Sequence, residues 1–342
     1  MSSRIGGWLA RLSDPDGVNL HWPCAPFTAS ETALLDELVN AAGNHNVRPA
    51  MASNLATLLG TAPETFLAGE APWRSSQGEK LLASANEHRM VDVGRAVLLA
   101  GMAGEILAEA SERGLPVAMI KGADFAENAY GGLNARTFSD IDLLVRPDAE
   151  DDLGDILRTS GFRLHEPKKR LVANSERQWT RPDNFGGRTV VDVHTDMVHA
   201  PELRVRQTLT YDLYADPGHG GISSASRLVL AALHGATSHL FGRLQYVVDG
   251  LMIVRMGVDP TELRERAARS GAILPVATLL RLTGELYGCE AGMALLEALQ
   301  PVRRSGLERR LITPAMVVSA KDRDRLRWRP QRYLYRRLLQ SA

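Results

Sequence analysis

Two aspartates stand two positions apart in the apolar run FSDIDLLV, Asp140 and Asp142, and a third, Asp192, sits in VVDVHTD. FSDIDLLV reads as a short buried strand, where successive side chains point to opposite faces. Asp140 and Asp142 then share one face while Ile141 and Leu143 enter the core behind them. Their Cα atoms are about 7 Å apart, from a rise of about 3.3 Å per residue. Like charges this close repel unless a cation lies between them, and a divalent metal with hard oxygen ligands is the usual resolution. If the strand of Val191, Asp192 and Val193 is adjacent, about 4.8 Å away, the three carboxylates could hold two Mg²⁺ ions, or Mn²⁺ in their place, about 3.5–4 Å apart. Such a pair activates an attacking oxygen and stabilises a leaving phosphate. Asp196 shares the face of Asp192 if the strand stays extended, and is a reserve ligand. His194 shares it too, but imidazole is a poor Mg²⁺ ligand, which leaves a substrate contact or a structural hydrogen bond as its readings.

A phosphate-binding element precedes the aspartates. LPVAMI reads as a strand ending at Lys121 and Gly122, where the helix GADFAENAY begins. Free N–H groups at a helix N-terminus attract phosphate oxygens, Gly122 permits close approach and Lys121 adds charge. Arg136, four residues before Asp140, is placed to reach the same phosphates. The pieces describe a nucleoside triphosphate site, with ATP the first choice.

This order of a strand ending in a glycine turn, a helix, a strand bearing DxD and a later strand with one more aspartate resembles the polymerase-beta-like nucleotidyltransferase superfamily. More narrowly, IKGADFAENAYGGLNARTFSDIDLLV followed by VVDVHTD resembles the nucleotidyltransferases of natural-product and peptide-modification gene clusters, lasso-peptide clusters included. HGATSHLFGRLQYVVDG extends the resemblance, with His234, His239, Arg243 and Asp249 in the family's pattern, so that it covers roughly residues 80 to 290. The turn departs from the superfamily's usual Gly-Ser pair in reading Lys-Gly-Ala, although the narrower family also has Lys-Gly. The resemblance implies Mg²⁺-dependent transfer of a nucleoside monophosphate to a small-molecule, peptide or protein acceptor, with release of pyrophosphate. Asp140, Asp142 and Asp192 would be both catalytic residues and metal ligands, and Lys121, Gly122 and Arg136 would hold the nucleotide.

The elements that must position these residues give an α+β fold, a small mixed sheet flanked by helical regions. TASETALLDELVNAAG carries a capping box, Thr28 with Glu31, then leucines at helical spacing, and RPAMASNLATLLG repeats the pattern. GEAPWRSSQG reads as a linker, and a long helix follows from Glu79 to Arg113 with Val91, Leu98, Met102 and Ile106 on its apolar face. After Pro147 another helix is expected, then extended segments from 162 to 194 as an antiparallel addition to the sheet, with PDNFGG as a turn. From Ser226 onward the chain is helical. The expected division is a helical region 1–78, a nucleotidyltransferase core 79–200 and a helical region 201–342.

Among 342 residues, 40 Lys and Arg balance 40 Asp and Glu, so no positive field concentrates nucleic acid or anionic membrane. Cys24 and Cys289 form no CxxC pattern, and no apolar run is long enough to span a bilayer, which together point to the cytoplasm. His234 and His239 read as core histidines and Asp249 as a salt-bridge partner rather than a base. The arginine-rich RDRLRWRPQRYLYRR reads as a solvated amphipathic helix whose aromatics dock on the body. It is also the sole support for a toxin-like enzyme acting on RNA or protein. A catalytically silent nucleotide- or peptide-binding module is a further alternative, and oligomeric state is left open.

Overall fold

The computed structural model describes residues 3–17, 24–165, 175–183, 187–216, 222–300, 306–319 and 328–341. The fold is α+β. Helices α1 (Ser3–Leu12), α2 (Thr32–Asn44) and α3 (Arg48–Thr61) lead into α4 (Ala71–Glu112). Then come β1 (Val117–Ile120), α5 (Gly122–Asn128), β2 (Ile141–Val145), α6 (Glu150–Thr159), β3 (Arg163–Leu164), β4 (Glu176–Pro182) and β5 (Arg188–His194). Two short helices, α7 (Pro201–Arg204) and α8 (Tyr211–Ala215), precede α9 (Ser224–Leu233), α10 (Leu244–Arg255), α11 (Pro260–Arg269), α12 (Ile273–Tyr287) and α13 (Glu290–Leu299). The helix Arg329–Ser341 closes the described chain.

The strands form one sheet in the order β1-β2-β5-β4-β3. β2 is an interior strand next to the β1 edge, antiparallel to β1 and parallel to β5, and each of its five residues, IDLLV, is buried, as a strand covered on both faces requires. Residues 162–194 differ from a purely antiparallel addition. β3, β4 and β5 pair antiparallel among themselves, but β5 enters parallel to β2. A parallel pair needs a crossover, and α6 with β3 and β4 supplies it. Residues 170–174, and 184–186 at the centre of the expected PDNFGG turn, lie outside the described residues.

The two faces of the sheet belong to two apolar cores. Ile141, Leu143, Val191 and Val193 pack with Leu99 and Ile106 of α4 and Ile156 of α6. Ile120 and Leu144 face the other way, into the core shared by the N-terminal helices and α9 to α12. β5 alternates accordingly, with Val191 and Val193 buried and Asp192 only partly so. The acidic residues thus open on the face that meets the C-terminal helices.

GEAPWRSSQG is helix rather than linker from Ala71 on. Pro72 sits in the first turn, where its missing N–H goes unneeded, and Gly78 lets Leu59 approach to contact distance, 3.4 Å from an ideal Cβ. α4 therefore runs 42 residues, about 63 Å at 1.5 Å per residue, and bridges both cores. Leu81 and Ala85 join the first, and Ala96, Leu99, Ala103 and Ile106 the second. Between them Met90 is 71% and Val91 69% exposed, and Leu98 is exposed too. The buried stripe runs through Ala96, Leu99, Met102, Ala103, Ile106 and Ala110, so Met102 and Ile106 face the core as expected, while Val91 and Leu98 lie off the stripe.

Candidate active site

The site is built at the entry of β2 and the end of β5. Parallel pairing sets Asp142 opposite Asp192 on adjacent strands, with their flanking valine, isoleucine and leucine side chains in the core behind. Asp140 lies one residue before β2, partly exposed, at a small cleft bounded by Phe138, Ala123 and Met119. The structure thus brings the three sequence-predicted carboxylates together.

Lys121 joins them from the end of β1. Its Nζ lies 2.8 Å from Asp142 Oδ1, both side chains buried. Its backbone, at φ 54° and ψ −131°, has a glycine-type conformation that an L side chain adopts only under strain. His194 Nε2 reaches the same Oδ1 at 3.0 Å. Burial pushes the Asp142 carboxyl up, but the Lys121 ammonium and the His194 hydrogen bond outweigh it and hold the group well below the usual carboxylate range.

Asp140 and Asp192 are less well served. Among the described residues no cationic side chain forms an ion pair with either. Burial, and then the Asp142 charge, raises Asp140 above its ordinary value. Burial pushes Asp192 up to about 6, the Gln178 hydrogen bond at 3.0 Å opposing it and the Glu176 and Asp142 charges adding to it. Three hard oxygen donors held together, two lacking a counter-cation, form a donor set that fits Mg²⁺.

Arg136 is buried beneath the glycine turn. Its Nε and Nη2 grip Asp249 of α10 at 2.7 and 2.8 Å, and Nη1 donates to the Gly122 carbonyl at 3.3 Å. Tyr130 donates to the same Asp249 at 2.7 Å, which makes this aspartate a salt-bridge partner. α5 is a helix of only seven residues, and its Asp124 is turned away to pair with Arg227. Asp196, the reserve ligand, lies beyond the end of β5. It accepts the Val198 and Leu209 N–H groups and the Thr208 hydroxyl, so it organises the chain after the strand instead of facing Asp192.

His234 opens and His239 follows a five-residue π turn (His234–Ser238), a feature often found at functional sites. His239 is exposed and stacks on Tyr246 at 4.6 Å, while burial lowers His234 well below the usual imidazole range. His239, Tyr246, Arg243 and Arg332 line a polar cavity. Residues 320–327, with Arg323, Arg325 and Arg327 of the arginine-rich segment, lie outside the described residues.

Sequence reasoning missed Gln178, Glu176 and His199. Gln178 could have been found, since counting back from the PDNFGG turn pairs it with Asp192. Burial, with the neighbouring His194 and Lys121, lowers His199 to about 3. No periodicity marks it, because it follows the strand.

A mixed sheet carrying three carboxylates on and before adjacent parallel strands, closed by helices on the carboxylate face, is an enzyme-like α+β architecture. The chain belongs to the family described as uncharacterised nucleotidyltransferase, whose model matches residues 32–288. Nucleotidyl transfer is therefore its general activity, with a nucleoside triphosphate as substrate class. No curated protein matches the chain. Among the described residues no helix is long and apolar enough to cross a membrane.

Proposed function

We propose that the chain is a nucleotidyltransferase of polymerase-beta-like type, moving a nucleoside monophosphate from an NTP, ATP first, to a small-molecule, peptide or protein acceptor and releasing pyrophosphate. The observation that carries this reading is the register that sets Asp142 opposite Asp192, with Asp140 at the strand entry. Bound Mg²⁺ supplies charge neutralisation for the triphosphate and acidifies the attacking group. Asp140, Asp142 and Asp192 are the residues that hold it. Asp192 completes the metal site and helps take up the acceptor's proton. Lys121 exchanges its Asp142 contact for a phosphate oxygen when the triphosphate enters. Gly122 lets the phosphate chain lie against the backbone, and Arg136 fixes that turn through the Gly122 carbonyl.

Calorimetry with ATP and other triphosphates, with and without Mg²⁺, combined with a pyrophosphate assay on peptide and protein acceptors, tests the reading. The wild type is expected to bind nucleotide in a Mg²⁺-dependent manner, and Asp140→Asn with Asp142→Asn to abolish both that dependence and transfer while circular dichroism stays unchanged. Full activity in the double variant would sink the two-metal mechanism. Tight binding independent of Mg²⁺, with no pyrophosphate released, would instead mark a silent binding module.

A further inference from the structure

Beside the aspartates lies a second set of ligand-type atoms that nucleotidyl transfer does not use. Glu176, His194 and His199 each offer one such atom, and all three atoms lie within 4.8 Å of one another. The sheet builds two thirds of the set. Register places Glu176 of β4 directly across from His194 of β5, and the chain turns back after the strand to bring in His199. The His194 and His199 rings stand 5.2 Å apart at 47° to each other, too tilted to be a stacked pair.

His194 is the decisive member. It is 1% exposed, and its Nε2 faces Asp142 Oδ1 at 3.0 Å. An ionised carboxylate only accepts, so Nε2 carries the hydrogen of this bond. In the neutral ring Nδ1 is then a bare lone pair, and that atom is buried without a hydrogen-bond partner. His199 Nδ1 also lacks a hydrogen bond and lies 3.2 Å from Glu176 Oε2. An imidazole that gives its other N–H to a carboxylate is the arrangement that orients metal-binding histidines and fixes their tautomer. Two imidazole nitrogens and one carboxylate oxygen suit a borderline ion such as Zn²⁺, whereas Mg²⁺ prefers oxygen alone.

We infer that Glu176, His194 and His199 form a binding site for a transition-metal ion of the Zn²⁺ class, beside the three aspartates and joined to them by the His194 to Asp142 hydrogen bond. Three protein ligands leave a fourth position to water or to an acceptor atom. An ion on His194 Nδ1 locks the hydrogen on Nε2, and so fixes one oxygen of Asp142 in place.

The test uses the full chain, stripped with a chelator and titrated with ZnCl₂ in excess MgCl₂, with Co²⁺ as an optical probe of the ligand field. About one Zn²⁺ per chain is expected, unaffected by Mg²⁺, with a visible Co²⁺ band of low-coordinate type. His199→Ala and the near-isosteric Glu176→Gln should each weaken Zn²⁺ by about tenfold or more. Asp140→Asn, outside the set, should bind Zn²⁺ as the wild type does. Circular dichroism follows folding, and Glu176→Gln stands in should His199→Ala fail to fold. Absence of stoichiometric Zn²⁺, Zn²⁺ displaced by Mg²⁺, wild-type affinity in both variants, or equal loss in Asp140→Asn would each overturn the site. None of these readouts needs transfer activity, so the inference fails or stands apart from the proposed reaction.

Discussion

Asp192 is the least comfortable carboxylate of the site, and two consequences follow. Its folded pKa of about 6 exceeds the ordinary 3.8, so the folded protein binds this proton more tightly than the unfolded chain does. The ionised group therefore destabilises the metal-free protein, an effect absent below about pH 4 and complete above about pH 6. Asp142 works in the opposite sense. Its depressed pKa stabilises the fold above the ordinary carboxylate value, and that contribution is lost as pH falls through the folded one. Replacing Asp192 by Asn keeps the shape and the Gln178 contact but removes the charge. Asp192→Asn should raise metal-free stability at pH 7 by on the order of 1 kcal/mol, after discount for its partial exposure, and abolish transfer. Urea denaturation at pH 7 and pH 4 checks this, because the gain should vanish at the lower pH. Mg²⁺ binding by the wild type should weaken as pH drops through about 6, where Asp192 of the metal-free protein takes up its proton and competes with the ion. A Mg²⁺ affinity that stays flat between pH 5 and 7 would remove Asp192 from the metal site.

The turn joining β1 to α5 shows what an element contributes. Lys121 occupies a backbone conformation suited to glycine, a strain of about 1–3 kcal/mol that its buried ion pair with Asp142 offsets. Lys121→Gly relieves the strain while losing the ion pair, whereas Lys121→Ala loses the ion pair and keeps the strain. The glycine variant should be the more stable of the two by about 1 kcal/mol, with both severely impaired in nucleotide binding. Equal stabilities in urea would show that the turn stores no strain. This conformation was not legible in the sequence, because LPVAMIKG reads as an unstrained strand that turns at the glycine. The DxD spacing was legible, since the period of two in FSDIDLLV dictates a common face regardless of context. Asp196 was misplaced by the same reasoning, because β5 stops at His194 and the period stops with it. The exposed Val91 and Leu98 of α4 escaped for a different reason. The buried stripe steps by three and four residues through Ala96, Leu99, Ala103, Ile106 and Ala110, and the two apolar residues lie off that face.

The sheet and the C-terminal helices are tied together by contacts that no local pattern announces, and the tie passes directly under the site. Arg136 and Asp249 are 113 residues apart, yet their bidentate pair is buried, shares Asp249 with the Tyr130 hydroxyl and holds the Gly122 carbonyl with its remaining nitrogen. Burial works against the guanidinium charge, and the Asp249 carboxylate more than offsets it. Removing one partner leaves an uncompensated buried charge, so Asp249→Ala should cost about 3–5 kcal/mol, read by urea denaturation. Replacing both with apolar residues of similar volume, Arg136→Met with Asp249→Leu, should recover most of that loss, because no charge is then stranded. The double variant nonetheless lacks the donor to Gly122. If the pair exists to position the turn, the refolded double variant should bind Mg²⁺-ATP about tenfold more weakly than the wild type while keeping its helix content. Wild-type nucleotide affinity in that variant would reduce the pair to a packing contact between the sheet and α10, and would leave the turn to be held by Lys121 and Asp142 alone.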